Sequence, residues 1–231
     1  MRLSVLLLVS AMIVGACSKS PDEPKPIRLT ARTAPDSIPV AGGDVIVRGP
    51  DGYCIDKRGS RLRGEAAFVL LAGCSSITGN PEAGTPGASA LLTASVDKQT
   101  GEIADPSQLL ALLTSSDGQA TLARDGRKES IVLKSSEMRN DVVMLHIEDN
   151  SENPTPGLQS DYLRGLFALN GRLITVTVVG FETRPIDGNT GLFLLNRFVA
   201  SIRDASPSVE NTTATQAVPK DRKGLFRTLF R

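Results

Sequence analysis

Short apolar runs separated by turn residues predict strands in the first half of the chain. Residues 44–48, 66–72 and 90–96 are each rich in aliphatic side chains and short enough to be one strand. Glycine, proline and aspartate at 49–52 indicate a turn, and proline and glycine within 75–87 indicate a loop. This half of the chain therefore predicts a series of strands without a helix between them.

The first predicted helix begins at Asp105, which is placed to cap it. Pro106 suits the first helical position, and Gln108 stands at the capping-box spacing. The apolar face that follows is made by Leu109, Leu110, Leu112 and Leu113. Gly118 indicates an end, or a break before a short helical piece that runs to Leu122.

A second helix is predicted over residues 190–204, because apolar residues recur there with the 3.6-residue period of a helix. These positions are Leu192, Leu195, Phe198, Val199 and Ile202. Asn196, Arg197 and Arg203 fall on the other side. We interpret the apolar stripe as a face that packs on a sheet.

The segment between the two helices predicts two hairpins. Residues 131–134 and 142–147 have strand-like composition and are joined by 137–140. The stretch 162–180 is predicted to fold back at residues 170–171, since this Asn-Gly pair is the strongest short hairpin signal in the chain. Hairpins in series predict an α+β fold with a mostly antiparallel sheet and two packed helices.

The order of these elements resembles a known fold. Residues 44–205 are similar in topology to the PsbP-like α/β/α sandwich, and the PDGY turn at 50–53 is similar to the turn that opens many members of that group. The runs GPDGYCID (49–56) and AFVLLAGC (67–74) resemble a group of functionally uncharacterised lipoproteins of alphaproteobacteria. The first resemblance implies a sandwich with an accessory role in assembly, and the second implies no activity.

Residues 1–16 are typical of a secretion signal. Arg2 precedes an apolar run over 3–14 that is too short to span a bilayer. The sequence Gly15-Ala16-Cys17 resembles the lipobox of bacterial lipoproteins, which implies cleavage before Cys17 and acylation of its thiol and new amine. The alternative is an ordinary signal that happens to be followed by a cysteine.

A lipid anchor predicts a place in the bacterial cell envelope, on the periplasmic side. Two or more acyl chains hold a protein stably at a membrane, whereas one chain binds reversibly. Ser18, not aspartate, follows Cys17, and in enterobacterial lipoproteins this pattern favours the outer membrane over the inner one. The membrane is thus the first predicted partner.

The chain divides into four predicted segments. The signal (1–16) is followed by the lipidated N-terminus with a proline-rich tether (17–43), whose composition suits neither a core nor regular structure. The α+β domain spans 44–205, and a flexible tail spans 206–231.

Composition excludes several classes of partner. The chain carries 26 basic and 25 acidic residues, so no overall field favours nucleic acid. Aromatic residues make up only 4% and tryptophan is missing, which argues against a sugar-stacking or single-strand-binding surface. We predict no nucleic-acid partner and no cofactor.

Lipid on Cys17 leaves Cys54 and Cys74, and two cysteines in an oxidising compartment most simply pair. The rival interpretation is a redox or metal role. The spacing is not C-x-x-C and no histidine lies nearby in sequence, so a structural disulfide is predicted.

His146 is the single histidine and the first candidate for chemistry. One histidine excludes the common multi-histidine metal sites, and no serine lies in a G-x-S-x-G elbow. The nearby carboxylates Glu148, Asp149, Glu152 and Asp161 lack the spacing of a calcium loop. We therefore interpret His146 as a strand histidine facing solvent or satisfied at the sheet edge, and the carboxylates as a solvated turn. No catalytic or metal site is predicted.

Two basic segments are candidates for contact with a partner. A loop predicted beside Cys54 carries Lys57, Arg58, Arg61 and Arg63, flanked by Asp51 and Asp56, and could dock an anionic group such as a lipid head group. The tail carries the basic residues Lys220, Arg222, Lys223, Arg227 and Arg231 around the apolar residues Leu225, Phe226, Leu229 and Phe230.

The four apolar tail residues would share one side of a short helix. Such a basic and apolar segment is typical of contact with an anionic membrane interface or with a groove on an envelope protein. A helix this short would form only on contact. The alternative is a frayed tail without a partner.

These observations predict a membrane-anchored envelope lipoprotein with a non-enzymatic role in binding or assembly. The alternative is a periplasmic enzyme or small-ligand carrier whose site no motif reveals. A deep pocket where His146 meets a carboxylate of shifted pKa would favour the alternative. A flat, closed sandwich would favour the binding role.

Overall fold

The computed structural model of the protein describes residues 33–98, 105–152 and 155–208. Its strands are β1 (Ser37–Val40), β2 (Val45–Arg48), β3 (Tyr53–Arg61), β4 (Ala67–Gly73), β5 (Ala90–Val96), β6 (Ile131–Arg139), β7 (Val142–Asp149), β8 (Leu158–Leu169) and β9 (Arg172–Phe181). Its α-helices are α1 (Cys74–Thr78), α2 (Pro106–Thr114), α3 (Ser116–Leu122) and α4 (Gly188–Ala205). Within these ranges, the helices are too short or too polar to cross a membrane.

Seven strands form one open antiparallel sheet in the order β3-β4-β5-β9-β8-β7-β6, and β1 pairs with β2 in a separate hairpin. The edges of the large sheet are therefore β3 and β6. Helices pack against this sheet, so the predicted α+β fold with a mostly antiparallel sheet is confirmed.

Two tight turns set the register of the hairpins β6–β7 and β8–β9. The central residues Asn170 and Gly171 have φ of 51° and 73°, and Asn140 and Asp141 have φ of 49° and 57°. Positive φ at both central positions is what a type I′ turn requires. The Asn-Gly hairpin is confirmed, whereas the first turn is tighter than predicted because β6 continues to Arg139.

Helix α4 lies across one face of the sheet and buries the main core. Leu195, Phe198 and Ile202 are completely buried there, in one core cluster with inward-facing residues of β4, β5 and β9. The β1–β2 hairpin contributes to the same core through Val45 and Val47. The apolar stripe predicted on this helix is thus its core face.

The opposite face of the sheet is covered over β6 and β7 by α2 and α3. Leu113 and Leu122 from these helices pack with Val143, Leu145 and Ile147 of β7. Helices therefore cover both faces of the sheet, and the described fold has three layers.

The start of α2 is as predicted, but its end is not. Asp105 caps the helix by accepting a hydrogen bond from the Ser107 amide at 2.8 Å. The break between the two helices falls at Ser115, whose hydroxyl caps α3 by accepting a hydrogen bond from the Gly118 amide at 3.1 Å. Gly118 itself lies inside α3 and packs on the Leu112 carbonyl. The Leu112 side chain is 57% exposed, so its assignment to the apolar face is wrong.

Arg172, at the start of β9, joins the sheet to three other segments. Its side chain is 8% exposed and donates to Asp44 Oδ2 at 3.0 Å. It also donates to the carbonyls of Glu65, Asp97 and Ala41. A buried guanidinium needs partners for its N–H groups, and these oxygens supply them.

Residues 37–43, which the sequence assigns to the tether, belong to the fold. β1 pairs with β2, and Pro39 is tolerated because a strand with a free edge does not need every N–H. Val40 is buried in the main core. The prediction of an irregular tether is therefore wrong for these residues, and α1 likewise replaces part of the predicted 75–87 loop.

We predict that Leu195→Ala lowers the free energy of unfolding by about 2–5 kcal/mol, because it leaves a cavity under α4. Phe193→Ala, on the same helix, is the matched control, since Phe193 is 66% exposed and its removal should change stability by less than about 0.5 kcal/mol. Urea unfolding followed by circular dichroism measures both. Equal losses would contradict the packing described for α4.

Candidate functional site

A cluster of charged side chains lies on the α4 face of the sheet, where β6, β7 and β8 meet the start of α4. Successive residues of a strand point to opposite faces, so His146 and Glu148 share the face of the buried Met144. Asp161 of β8 lies opposite Glu148, and Lys134 of β6 lies beside a register shift. The sheet thus brings together residues from three strands.

Lys134 is held between two carboxylates. Its Nζ atom lies 3.0 Å from Glu148 Oε2 and 2.9 Å from Asp161 Oδ2. Hydrogen bonds to Asp161 and then Glu148 raise the pKa of Lys134 above its ordinary value, so the ammonium stays charged. All three side chains keep about a third of their surface in water, so the pairing contributes little to stability.

His146 lies between Asp161 and the first turn of α4. Its Nε2 atom lies 2.6 Å from Asp161 Oδ1, yet neither buried atom meets the angular criteria of a hydrogen bond. The distance is short, but the alignment is too poor for a hydrogen bond. A methyl group at Gly188 would lie 2.8 Å from Cε1 and 3.3 Å from Nδ1 of the ring.

An open groove of about 350 Å³ lies beside this histidine. Its polar lining consists of Ser135, Glu137, His146, Asp187 and Asn189. Its apolar lining includes Met144, Leu163 and Leu192. The groove therefore combines carboxylates with an apolar floor.

Asp187 has a double role, since it lines the groove and caps α4. It accepts hydrogen bonds from the amides of Asn189 and Thr190 at 2.9 and 3.0 Å and from the Thr190 hydroxyl at 2.7 Å. The Thr190 hydrogen bonds are the main cause that lowers the pKa of Asp187, so the carboxylate is ionised at neutral pH.

The structure groups only some of the predicted acidic residues. Glu148 and Asp161 join His146, whereas Asp149 points to the other face and is 1% exposed. Asp149 accepts hydrogen bonds from the amides of Arg124 and Ser151, so its assignment to a solvated turn is wrong. Glu152 is exposed.

In the described ranges no three His, Cys, Asp or Glu side chains are arranged to hold a metal ion. Sequence reasoning missed Lys134, Glu137 and Asp187 as neighbours of His146. The aspartate just before α4 was the signal that could have found Asp187, whereas the places of Lys134 and Glu137 depend on the pairing of β6 with β7 and on its register shift.

The predicted disulfide joins Cys54 to Cys74, with their Cα atoms 4.8 Å apart. It connects β3 to the start of α1 beside the turn at 49–52. Both cysteines are at most 7% exposed. The bond therefore braces this corner of the fold.

The basic segment after Cys54 is an edge strand rather than a loop. Lys57, Arg58 and Arg61 lie in β3, which shifts register between Asp56 and Arg61. Cations and a bulge on an edge strand discourage pairing with another chain. The predicted loop is wrong for these three residues, which β3 spreads along the sheet edge, whereas Arg63 lies in the bend after β3.

A second, mostly apolar pocket of about 330 Å³ lies between the 49–52 turn and α4. It includes Tyr53, Ala88 and the exposed Phe193, over which Arg197 stacks at 6.0 Å. The Tyr53 hydroxyl donates to the Ala88 carbonyl at 2.7 Å, and burial raises its pKa to about 12. Asp51 pairs with Arg197 at 3.0 Å on the rim.

Several predicted sites lie outside the described residues. These are the signal (1–16), Cys17 and the basic and apolar residues of the tail from Lys220 to Arg231. They stay predictions from sequence.

We predict that Cys54→Ala/Cys74→Ala lowers the free energy of unfolding by about 3 kcal/mol, because the bond closes a 20-residue loop in the unfolded chain. Urea unfolding of this variant and of wild type with and without reductant measures the loss. Reductant should lower wild-type stability and leave the variant unchanged. An unchanged wild type under full reduction would contradict a structural role.

No family model, curated protein or solved structure matches this chain. The likenesses to the PsbP-like sandwich and to alphaproteobacterial lipoproteins therefore stay predictions from sequence. The proposal for the function of this protein therefore rests on its sequence, its fold and the groove beside α4.

Proposed function

We propose that this protein is a membrane-anchored lipoprotein of the bacterial cell envelope with a non-enzymatic role in binding or assembly. The lipobox-like sequence before Cys17 supports the anchor, and the disulfide suits an oxidising compartment. The open groove beside α4 supports binding. The periplasmic side of the outer membrane is the proposed location.

The close neighbours of both His146 ring nitrogens are the observation that supports the non-enzymatic role. A general base needs a ring nitrogen within reach of the proton that it takes. Here Asp161 Oδ1 lies 2.6 Å from Nε2, and Gly188 lies so close that a methyl group there would be 3.3 Å from Nδ1. Both cysteines of the described ranges are in the disulfide, so neither offers a thiol for activation.

The groove also favours a second candidate, a carrier of a small ligand. Its volume of about 350 Å³ is at the lower end of known ligand pockets, and its floor is apolar. A carrier and a scaffold differ in what copurifies with the protein. A small molecule released unchanged on denaturation indicates a carrier, and a protein indicates a scaffold.

We expect Cys17→Ser to lose labelled palmitate and to move from the membrane fraction to the soluble fraction. Cys54→Ala/Cys74→Ala is the matched control, because it keeps Cys17 and should keep both the label and the membrane association. Labelling in the native host and fractionation of the envelope measure this. Palmitate that remains on Cys17→Ser would refute the anchor.

The tail is tested by affinity capture from native envelopes, comparing the full chain with a version truncated after Pro219. We expect the truncation to lose partners, because it removes the basic and apolar residues. A variant with serine at Leu225, Phe226, Leu229 and Phe230 keeps every cation and separates apolar contact from charge. Partners unchanged by truncation would assign binding to the folded domain, and recovery of no partner by either form would contradict the binding role.

A further inference from the structure

The groove beside His146 has a negative lining. Among the described residues that line it are the carboxylates of Glu137 and Asp187 and no lysine or arginine. Glu137 is paired on one side with Arg139, at 3.3 Å from Oε2. Behind the histidine, Lys134 is shared by two further carboxylates. Acidic groups therefore outnumber basic ones at this end of the sheet.

The start of α4 does not make the electrostatic field in the groove positive. A helix N-terminus carries roughly half a positive charge, which by itself would favour an anion. Asp187 already places a full negative charge there and accepts the amides of Asn189 and Thr190. The field at the groove is consequently that of its carboxylates.

The floor of the groove suits a short apolar chain. Met144 and Leu163 come from neighbouring strands, and Leu192 comes from the first turns of α4. These side chains line a space of about 350 Å³ together with the carboxylates. A ligand that fits must therefore be a cation at one end and apolar over several methylene groups.

We infer that the groove between β6, β7 and the start of α4 binds an organic ammonium group with a short alkyl chain. The ammonium donates hydrogen bonds to Glu137 and Asp187, and the alkyl chain lies on Met144, Leu163 and Leu192. This inference rests on the proposed binding function and names the ligand chemistry of its groove. The ammonium belongs either to a free amine or to a lysine side chain of a partner protein.

His146 provides the readout, because it is the single histidine of the chain and lines the groove. In the full chain labelled with ¹³C-histidine, its Cε1–H signal is one resolved resonance. Pentylammonium, pentanol and pentanoate are titrated separately at constant pH and ionic strength. Only pentylammonium is expected to shift the signal and to reach saturation.

Chain length and charge variants test both halves of the site. Shortening the amine should weaken binding by about fourfold per methylene, because each buried methylene contributes to affinity. Glu137→Gln and Asp187→Asn should each weaken binding about tenfold, since each loses a charged hydrogen-bond acceptor. Asparagine still caps a helix, so Asp187→Asn keeps α4. Glu129→Gln, an exposed change away from the groove, is the matched control and should bind like wild type.

A second titration with Nα-acetyl-lysine methylamide distinguishes the two sources. Saturable binding of both compounds fits a free amine, whereas binding of the lysine compound alone fits a partner's side chain. An unmoved His146 resonance with every ammonium, or equal shifts with pentanoate, overturns the inference. Palmitate labelling of Cys17 does not involve the groove, so its outcome judges the proposed lipid anchor separately.

Discussion

The packing of α4 on the seven-stranded sheet forms the main core, and the β1–β2 hairpin and the groove depend on it. An antiparallel sheet with one continuous apolar face must be covered, and the buried side of α4 covers it. Close approach is possible because the helix presents glycine at its first turns. A methyl group at Gly191 would lie 2.6 Å from Leu163 Cδ2, and one at Gly188 would meet His146. The same packing that forms the core therefore closes one side of the groove.

Arg172 complements this packing at the other end of the sheet. Its five hydrogen bonds reach Asp44 and the carbonyls of Ala41, Glu65 and Asp97. A lysine could not replace it, because a single ammonium lacks the planar fork that reaches several acceptors at once. The hairpin β1–β2 is thereby held beside α4, where its valines complete the core. Removing the guanidinium would leave carbonyls from three segments without this donor.

The sequence predicts the fold class well because local signals carry most of it. The Asn-Gly turn and the apolar stripe of α4 are both confirmed. Prediction from sequence fails where the pairing of distant segments determines the structure. The segment that forms β1 contains Pro39, so its sequence indicates irregular structure although it pairs with β2. The cations of β3 show no alternation with apolar residues, because both sides of that edge strand meet water. The grouping of Lys134 with Asp161 needed the strand order and the register shift in β6, which no local pattern contains.

The position of the charged cluster follows from the same constraints. In the middle of the sheet, under α4, an ion pair would lose its hydration, and that loss can exceed the attraction between the charges. At the start of α4 the helix no longer covers the strands, so Lys134, Glu148 and Asp161 pair while keeping contact with water. His146 lies at the boundary, 19% exposed, with apolar residues on one side and carboxylates on the other. A groove lined by both apolar residues and carboxylates can therefore form where α4 begins.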